Sequence, residues 1–351
     1  MPDWRRILIL ILVFISLYII YKLVRKRQLL LVEFEKKEEE DKFNLEPFSL
    51  VEPFSLVEEP FSLGKQLSNS ENTSLPLKEY IIMSSWNSAN DYNGKVSLDT
   101  LEKTLDRGYR FIDLEIFSVD NIPHVSYSNT KQNDTMDSVP ILFLDVCRLI
   151  VTKGFSTPNG EDPLFLHLRI KTTKDVILEK MANIFNVEFM SRLHQGEVTG
   201  DTELSLLKKK IVIVVDRNYL PNIEIYKCEG TCSLDFKQFV NMYSGTPEFK
   251  NLTYIQKLEQ NMSPLMKTQN VRTNVTNFEM VTQPIGDLIV NKNSSDFLQL
   301  IKNHQINVFP QKVFYQDEHL TLYENFFVDY GRRAFVPMSV AFNSLFQIDD
   351  V

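Results

Sequence analysis

Three cysteines in 351 residues, Cys147, Cys228 and Cys232, are too few and of the wrong parity for a disulfide framework. That scarcity points to a reducing compartment. Cys228 and Cys232 sit in "KCEGTCS" at C-x3-C spacing with no neighbouring histidine, so they read as two reduced loop thiols rather than half of a zinc site. Neither G-x-G-x-x-G nor G-x4-G-K-[ST] occurs, which leaves no phosphate-cradling nucleotide loop. Positive charge is in deficit: 38 Lys and Arg against 46 Asp and Glu give a net charge of -8, and no nucleic-acid partner is expected. Histidine is scarce as well. The five are His124, His167, His194, His304 and His319, and the last three lie in polar or helical surroundings without any pattern.

Long apolar runs are not scarce. Ile7 to Val24 is 18 residues with no acidic group and one lysine near its end, enough to cross roughly 30 Å of hydrocarbon at about 1.5 Å per residue. Basic "YKLVRKRQ" follows where a cleaved signal peptide would place small residues, so residues 1–27 are predicted to be a retained single-pass anchor with a basic flank. Arg5 and Arg6 precede the span, whereas Lys22, Arg25, Lys26 and Arg27 cluster behind it. By the positive-inside rule the long C-terminal part stays on the cytoplasmic side. Six N-x-S/T triplets, at Asn72, Asn133, Asn251, Asn261, Asn274 and Asn293, would be glycosylation acceptors in the opposite orientation. In an Asn-rich sequence such triplets arise by chance, and the flanking charges and the cysteines carry more weight.

Residues 28–74 read as an acidic stalk. Glu33 to Glu59 holds ten acidic and three basic residues around the repeat "EPFSLV", "EPFSLV", "EEPFSL" beginning at Glu46, Glu52 and Glu58. A proline in each unit blocks a continuous helix, and the apolar content is too low to offset the entropy of ordering, so the stalk is expected to be disordered. The three Phe-Ser-Leu copies could dock a protein partner with avidity, or be a spacer grown by duplication.

From Leu75 to Val351 strands and helices alternate. "YIIMSS" is predicted as a buried strand. "SLDTLEKTLDRG" is predicted as a helix with Ser97 at its N-cap, Leu98, Leu101 and Leu105 on one face and Gly108 just past its end. "YRFIDLEIF" is the next strand, followed by helix "ILFLDVCRLIVTKG", strand "LFLHLRI", helix "KDVILEKMANIF" and strand "KKIVIVV". Further on, "SSDFLQLIKNHQ" reads as a helix, "INVFP" as extended and "RRAFVPMSVAF" as a closing strand. This α/β alternation over 277 residues fits a (β/α)8 TIM-like barrel, with a doubly wound open sheet as the alternative.

The order of motifs resembles the catalytic X region of phosphoinositide-specific phospholipase C. "PLKEYIIMSSWNSA" supplies Pro76, Leu77, Tyr80, Ser84, Ser85 and Asn87 of that family's opening strand, with Trp86 where the family has histidine. "DRGYRFIDLEIF" supplies Arg107, Gly108 and Arg110, with Asp113 and Glu115 as an exchanged acidic pair. "PHVSYSN" puts Tyr127 at the second catalytic histidine, and "PLFLHLRIK" puts Arg169 at a glutamate. In "LLKKKIVIVVD", Val214 and Asp216 replace lysines that would meet inositol phosphates. The resemblance divides the domain into an X-like region at 75–218, an irregular insertion at 219–293 and a faint Y-like remnant at 294–351.

What the resemblance implies is a phosphoric diester hydrolase of phosphoinositides, placed in lipid metabolism and signalling, with a calcium site at Asn87, Asp113, Glu115 and the fourth position now held by Arg169. The replacements argue against turnover. That reaction needs a general base for the inositol 2-hydroxyl and a general acid for the leaving glycerol, and histidine suits both. Tryptophan can do neither, and tyrosine, with an unperturbed pKa of about 10, is a poor substitute. Arg169 is expected to pair with Asp113 or Glu115 in place of calcium, leaving no cofactor, although bacterial members of the wider superfamily also look metal-free with an arginine in that role. His167 shares strand parity with Arg169 and is the candidate for a rebuilt acid or base, while His124 has parity opposite to Tyr127. Trp86 is expected to plug the mouth, with stacking on a phosphoinositide headgroup as the alternative. The sequence therefore favours a membrane-anchored, catalytically degenerate module that binds lipid or serves structurally, over an active hydrolase with altered acid–base residues. Duplications, Asn-rich composition and a decayed core would suit a viral protein in a virion membrane.

Overall fold

The computed structural model describes residues 74–223, 226, 234–258, 277–282, 293 and 296–347. The expected anchor Ile7–Val24, the stalk, Cys228 and Cys232 lie outside them. Among the described residues no helix is long and apolar enough to cross a membrane.

The chain enters through a single 3-10 turn, Leu77–Glu79, into β1 (Tyr80–Ile82) and β2 (Ser84–Ser85). Helix α1 (Leu98–Asp106) follows. The Ser97 hydroxyl accepts the Thr100 N–H at 3.2 Å, capping its first turn, and Leu101, Thr104 and Leu105 bury one face. Gly108 ends it at φ +89°, a left-handed position where a side chain would also strike the Asn159 amide at 2.8 Å.

Strand β3 (Phe111–Val119) is the axis of the domain. Its lower half pairs in parallel with β2 (Ser84↔Phe111) and its upper half antiparallel with β4 (Ile122–Ser126; Glu115↔Ser126). Along its other edge runs β6 (Leu164–Ile170), then β7 (Ile211–Asp216) and β8 (Met242–Ser244), all parallel. β5 (Ile141–Leu142) pairs with β4 and completes a seven-stranded sheet. Helices α2 (Phe143–Lys153) and α3 (Asp175–Ile184) make the crossovers around β6. α2 starts two residues later than its apolar run does, because Ile141 and Leu142 are taken by the ladder with β4.

The remainder departs further from expectation. Strands β9 (Phe249–Thr253) and β10 (Phe278–Thr282) pair in parallel, with α4 (Tyr254–Leu258) after β9. Thus the span 219–293, read as an irregular insertion, supplies β8 to the main sheet and a second parallel pair. α5 (Phe297–His304) forms within its predicted range. "INVFP" contributes only single bridges, from Val308 to Ile82 and to Met280, with Gln311 bridging Ser85 just beyond it. α6 (Glu318–Asp329) is capped by Asp317, whose carboxylate accepts the Leu320 N–H at 2.7 Å. "RRAFVPMSVAF" is a strand only in part. Only Phe335–Pro337 is extended, as β11 antiparallel to β1, and Met338–Gln347 turns into α7. The reason is visible in its spacing: Met338, Ala341 and Phe342 recur at helical intervals and are all fully buried.

The architecture is TIM-barrel-like α/β, but the expected eight-unit ring is not a closed set of ladders. One sheet ends at β8, the β9–β10 and β1–β11 pairs are each bridged to Val308, and Gln311 just beyond bridges Ser85 of the main sheet. Strands of two or three residues and a β3–β4 hairpin in place of a βα unit account for the interruption. The core is continuous nonetheless, running from Leu77 to Phe342.

Candidate active site at the carboxyl ends of the strands

The C-terminal ends of parallel strands are where an α/β domain gathers functional side chains. In register, Asp113 lies opposite His167 and Glu115 opposite Arg169. All four therefore share the face on which β6 and β3 alternate inward.

Arg169 organises the group. Its Nε donates to Asp113 Oδ1 at 2.9 Å, its Nη2 donates to Asp113 Oδ2 and to Asn87 Oδ1 at 2.5 Å each, and its Nη1 donates to Glu115 Oε1. Two loops deliver the remaining partners. Asn87 sits in the left-handed region at φ 45°, a conformation asparagine tolerates, and its own N–H donates to Asp113 Oδ2 at 3.0 Å. Ser128, the residue after Tyr127, donates its N–H to Glu115 Oε2 at 2.9 Å.

Lys171, two residues beyond Arg169 on the same face, pairs with Glu115 Oε2 at 2.9 Å and donates to the Thr130 carbonyl at 2.7 Å. Sequence reading missed it, although the parity that picked out His167 and Arg169 continues to Lys171. Asp113, Glu115, Arg169 and Lys171 are each at most 1% exposed. Two carboxylates and two cations cancel, which is the condition under which buried charges are tolerated.

Burial alone would raise the Asp113 carboxyl. The Arg169 charge and the His167 hydrogen bond outweigh burial and hold it well below the usual carboxylate range. Arg169 moves the other way, its proton held by Asp113 and Glu115 against the cost of desolvation. Burial lowers Lys171, and Glu115 restores only part of that. Asp216, on the neighbouring strand, is raised by burial while accepting from Asn218 N–H and Asn251 Nδ2 at 2.9 Å.

Trp86 closes this arrangement. Its N–H on the backbone donates to the Gln311 carbonyl at 2.8 Å, and its ring lies over the Arg169 guanidinium, 3.7 Å from ring centre to Cζ. At that distance a cation and an aromatic face attract. Only 4% of Trp86 is exposed. Tyr219, absent from the sequence reading, flanks the cations from another side, its ring 5.8 Å from Arg169 Cζ and 5.5 Å from Lys171 Nζ. Tyr127 is buried at the end of β4.

His167 lies one layer below, fully buried. Its Nδ1 meets Asp113 Oδ1 at 2.7 Å and its Nε2 meets Ser244 Oγ at 2.9 Å, so both ring nitrogens are engaged. His124 belongs to the β3–β4 hairpin, where its Nδ1 meets the Ile122 carbonyl at 2.9 Å.

The donors do not fit calcium. A hard cation needs six to eight oxygens at about 2.3–2.6 Å. Here Asn87 Oδ1 and the carboxylates of Asp113 and Glu115 already accept from the guanidinium and from Lys171, and a permanent cation sits among them. Among the described residues no group of three or more His, Cys, Asp or Glu is arranged to hold a metal.

The architecture is similar to that of solved phospholipase C proteins. Residues 73–217 match the family described as phosphatidylinositol-specific phospholipase C, X domain. The solved structures of PLC21 from L. pealei and from S. officinalis resemble the chain with TM-scores of 0.57, at 16% and 15% identity. Each similarity covers 76% of this chain and 37% of the other, so the chain spans little over a third of those proteins. No curated protein sequence matches it.

Proposed function

We propose that the protein is a membrane-anchored phospholipase C-like module without catalysis, in which the former metal site has become a structural lock, the domain serving a binding or structural role. The observation that carries this reading is the Arg169 side chain, held by Asn87, Asp113 and Glu115 and covered by Trp86. Oxygens that would bind calcium are occupied by a charge that cannot leave. Trp86 has no proton to exchange, a tyrosine's unperturbed pKa of about 10 makes it a poor substitute for histidine at 127, and losing one member of an acid–base pair costs about 10²–10⁴ in rate. The two cations of this group, Arg169 and Lys171, are already balanced by Asp113 and Glu115 and so carry no surplus charge for a phosphate. Ile7–Val24 would anchor the chain with the domain on the cytoplasmic side, and the Phe-Ser-Leu stalk would present a repeated site to a protein partner.

A second reading is supported by His167, whose contacts with Asp113 and Ser244 resemble those of an oriented acid–base residue. An active phosphoric diester hydrolase would then use it together with Tyr127. Full-length protein incubated with vesicles containing phosphatidylinositol or its bisphosphate, with calcium or with chelator, decides between them. The expected result is no product under either condition. Product that disappears in Tyr127→Phe would establish the hydrolase, and retention of the protein on vesicles without product would favour the binding role.

A further inference from the structure

Three of the N-x-S/T triplets have their asparagine among the described residues, and they differ sharply in what the asparagine does. Asn133 is exposed in the loop between β4 and β5. Asn251 lies on β9, in register with Met280, and its Nδ2 donates to Asp216 Oδ2 at 2.9 Å. Asp216 is 1% exposed and is raised by burial, so this donor is one of the few groups that meet its carboxylate. Asn293 is a hub. Its Nδ2 lies 3.2 Å from the Lys312 carbonyl, 3.1 Å from the Tyr315 carbonyl and 3.3 Å from Asp317 Oδ1. Its Oδ1 accepts the Lys312 N–H at 2.7 Å, and its backbone N–H donates to Asp317 Oδ2 at 2.9 Å. Only 3% of the residue is exposed.

A glycan would be joined at Nδ2, the atom that makes these contacts. The bulk of a sugar at a site 3% exposed leaves no room for Lys312, Tyr315 and Asp317 to close around the amide. Asp317 is also the cap of α6, so the disturbance would reach the helix that packs Tyr323 and Phe327 into the core. Transfer of an N-glycan acts on extended, unfolded chain, and a chain passing into a lumen would meet it with Asn251 and Asn293 still accessible.

We infer that this domain folds only where N-glycosylation does not act, because Asn251 and Asn293 are built into it as unmodified amides. The engaged amides, Asn293 buried and Asn251 half-buried, thus point to the same compartment as the basic residues flanking Ile7–Val24, by a separate physical route. Neither a silent nor an active mouth alters this.

The test uses the full chain made in animal cells, with and without a cleavable secretion signal placed ahead of it. The unaltered chain is expected to show no mobility change with peptide N-glycosidase and to yield a protease-resistant domain; a glycan on any asparagine would overturn the inference. The secreted form is expected to carry sugar at Asn293 and to lose the resistant domain. Ser295→Ala, which removes the acceptor triplet and leaves Asn293 in place, combined with Thr253→Ala for Asn251, is expected to restore it. A secreted chain that is glycosylated at Asn293 and still protease-resistant, or one that remains unfolded when both triplets are removed, would overturn it equally.

Discussion

Arg169 holds the mouth together by charge, and its removal leaves Asp113 and Glu115 facing each other without a cation between them. Breaking a buried pair by deleting one partner typically costs about 3–5 kcal/mol, so Arg169→Met is expected to lower stability by that amount in urea unfolding. Arg169→Glu restores an oxygen donor at the fourth place. It is expected to unfold in chelator and to gain thermal stability with added calcium, a response the parent protein should lack. The acid limb of stability belongs to Asp113. Its folded pKa lies below the ordinary 3.8, so its contribution is complete above that value and is lost as pH falls beneath it. Asp113→Asn should flatten the pH dependence of the unfolding midpoint below pH 4. Asp162 has the opposite sign: burial pushes it up to about 6. Its contribution is present below 3.8 and lost as pH rises through 6, so Asp162→Asn should gain on the parent between pH 5 and pH 7.

Among the elements, helix α1 and the turn behind it are the most fully encoded locally. Ser97 caps it, Gly108 ends it, and Asn159 Nδ2 donates to the Gly108 carbonyl at 3.2 Å, tying the turn to the loop before β6. Arg110 grips the same loop, donating to the Gly154 and Pro158 carbonyls. Gly108→Ala would force a side chain into a positive φ and against Asn159. The expected loss exceeds 1 kcal/mol, whereas Ser97→Ala should lose about 1 kcal/mol, both read from denaturant midpoints. α7 shows the reverse situation. α6 has a local cap in Asp317, but α7 follows directly on β11 within a run read as a strand, and burial of Met338, Ala341 and Phe342 in the core goes with helix there.

At the scale of the molecule, the X-like region does not stand by itself. The Tyr323 hydroxyl accepts the Ser84 N–H at 2.7 Å, Glu324 accepts from Arg107 at 2.5 Å and from Tyr109 at 2.7 Å, and β11 pairs with β1. Asn307 Nδ2 donates to the carbonyls of Lys78 at 2.7 Å and Tyr80 at 2.8 Å. These ties join residues more than 200 positions apart. A chain truncated after Arg217 is therefore expected to lack a cooperative unfolding transition and a protease-resistant domain, while residues 74–351 retain both.

Alternation of apolar residues was enough to place β3, β6 and β7 and the helices around them, because each is buried on a regular face. The same parity put His167 and Arg169 on one side, and the ordered motifs put Trp86 and Asn87 beside them. Local pattern could not decide what depends on distant partners. Asp113 and Glu115 both bind Arg169, Lys171 completes the charge balance, and Ser244 takes the free face of His167, through contacts that cross three strands and two loops. Nor could it decide that 242–244 joins the sheet, or that 338–347 is a helix. Strands of two or three residues carry too little periodicity to be recognised alone, and their identity is fixed by the neighbours against which their backbone hydrogen bonds are satisfied.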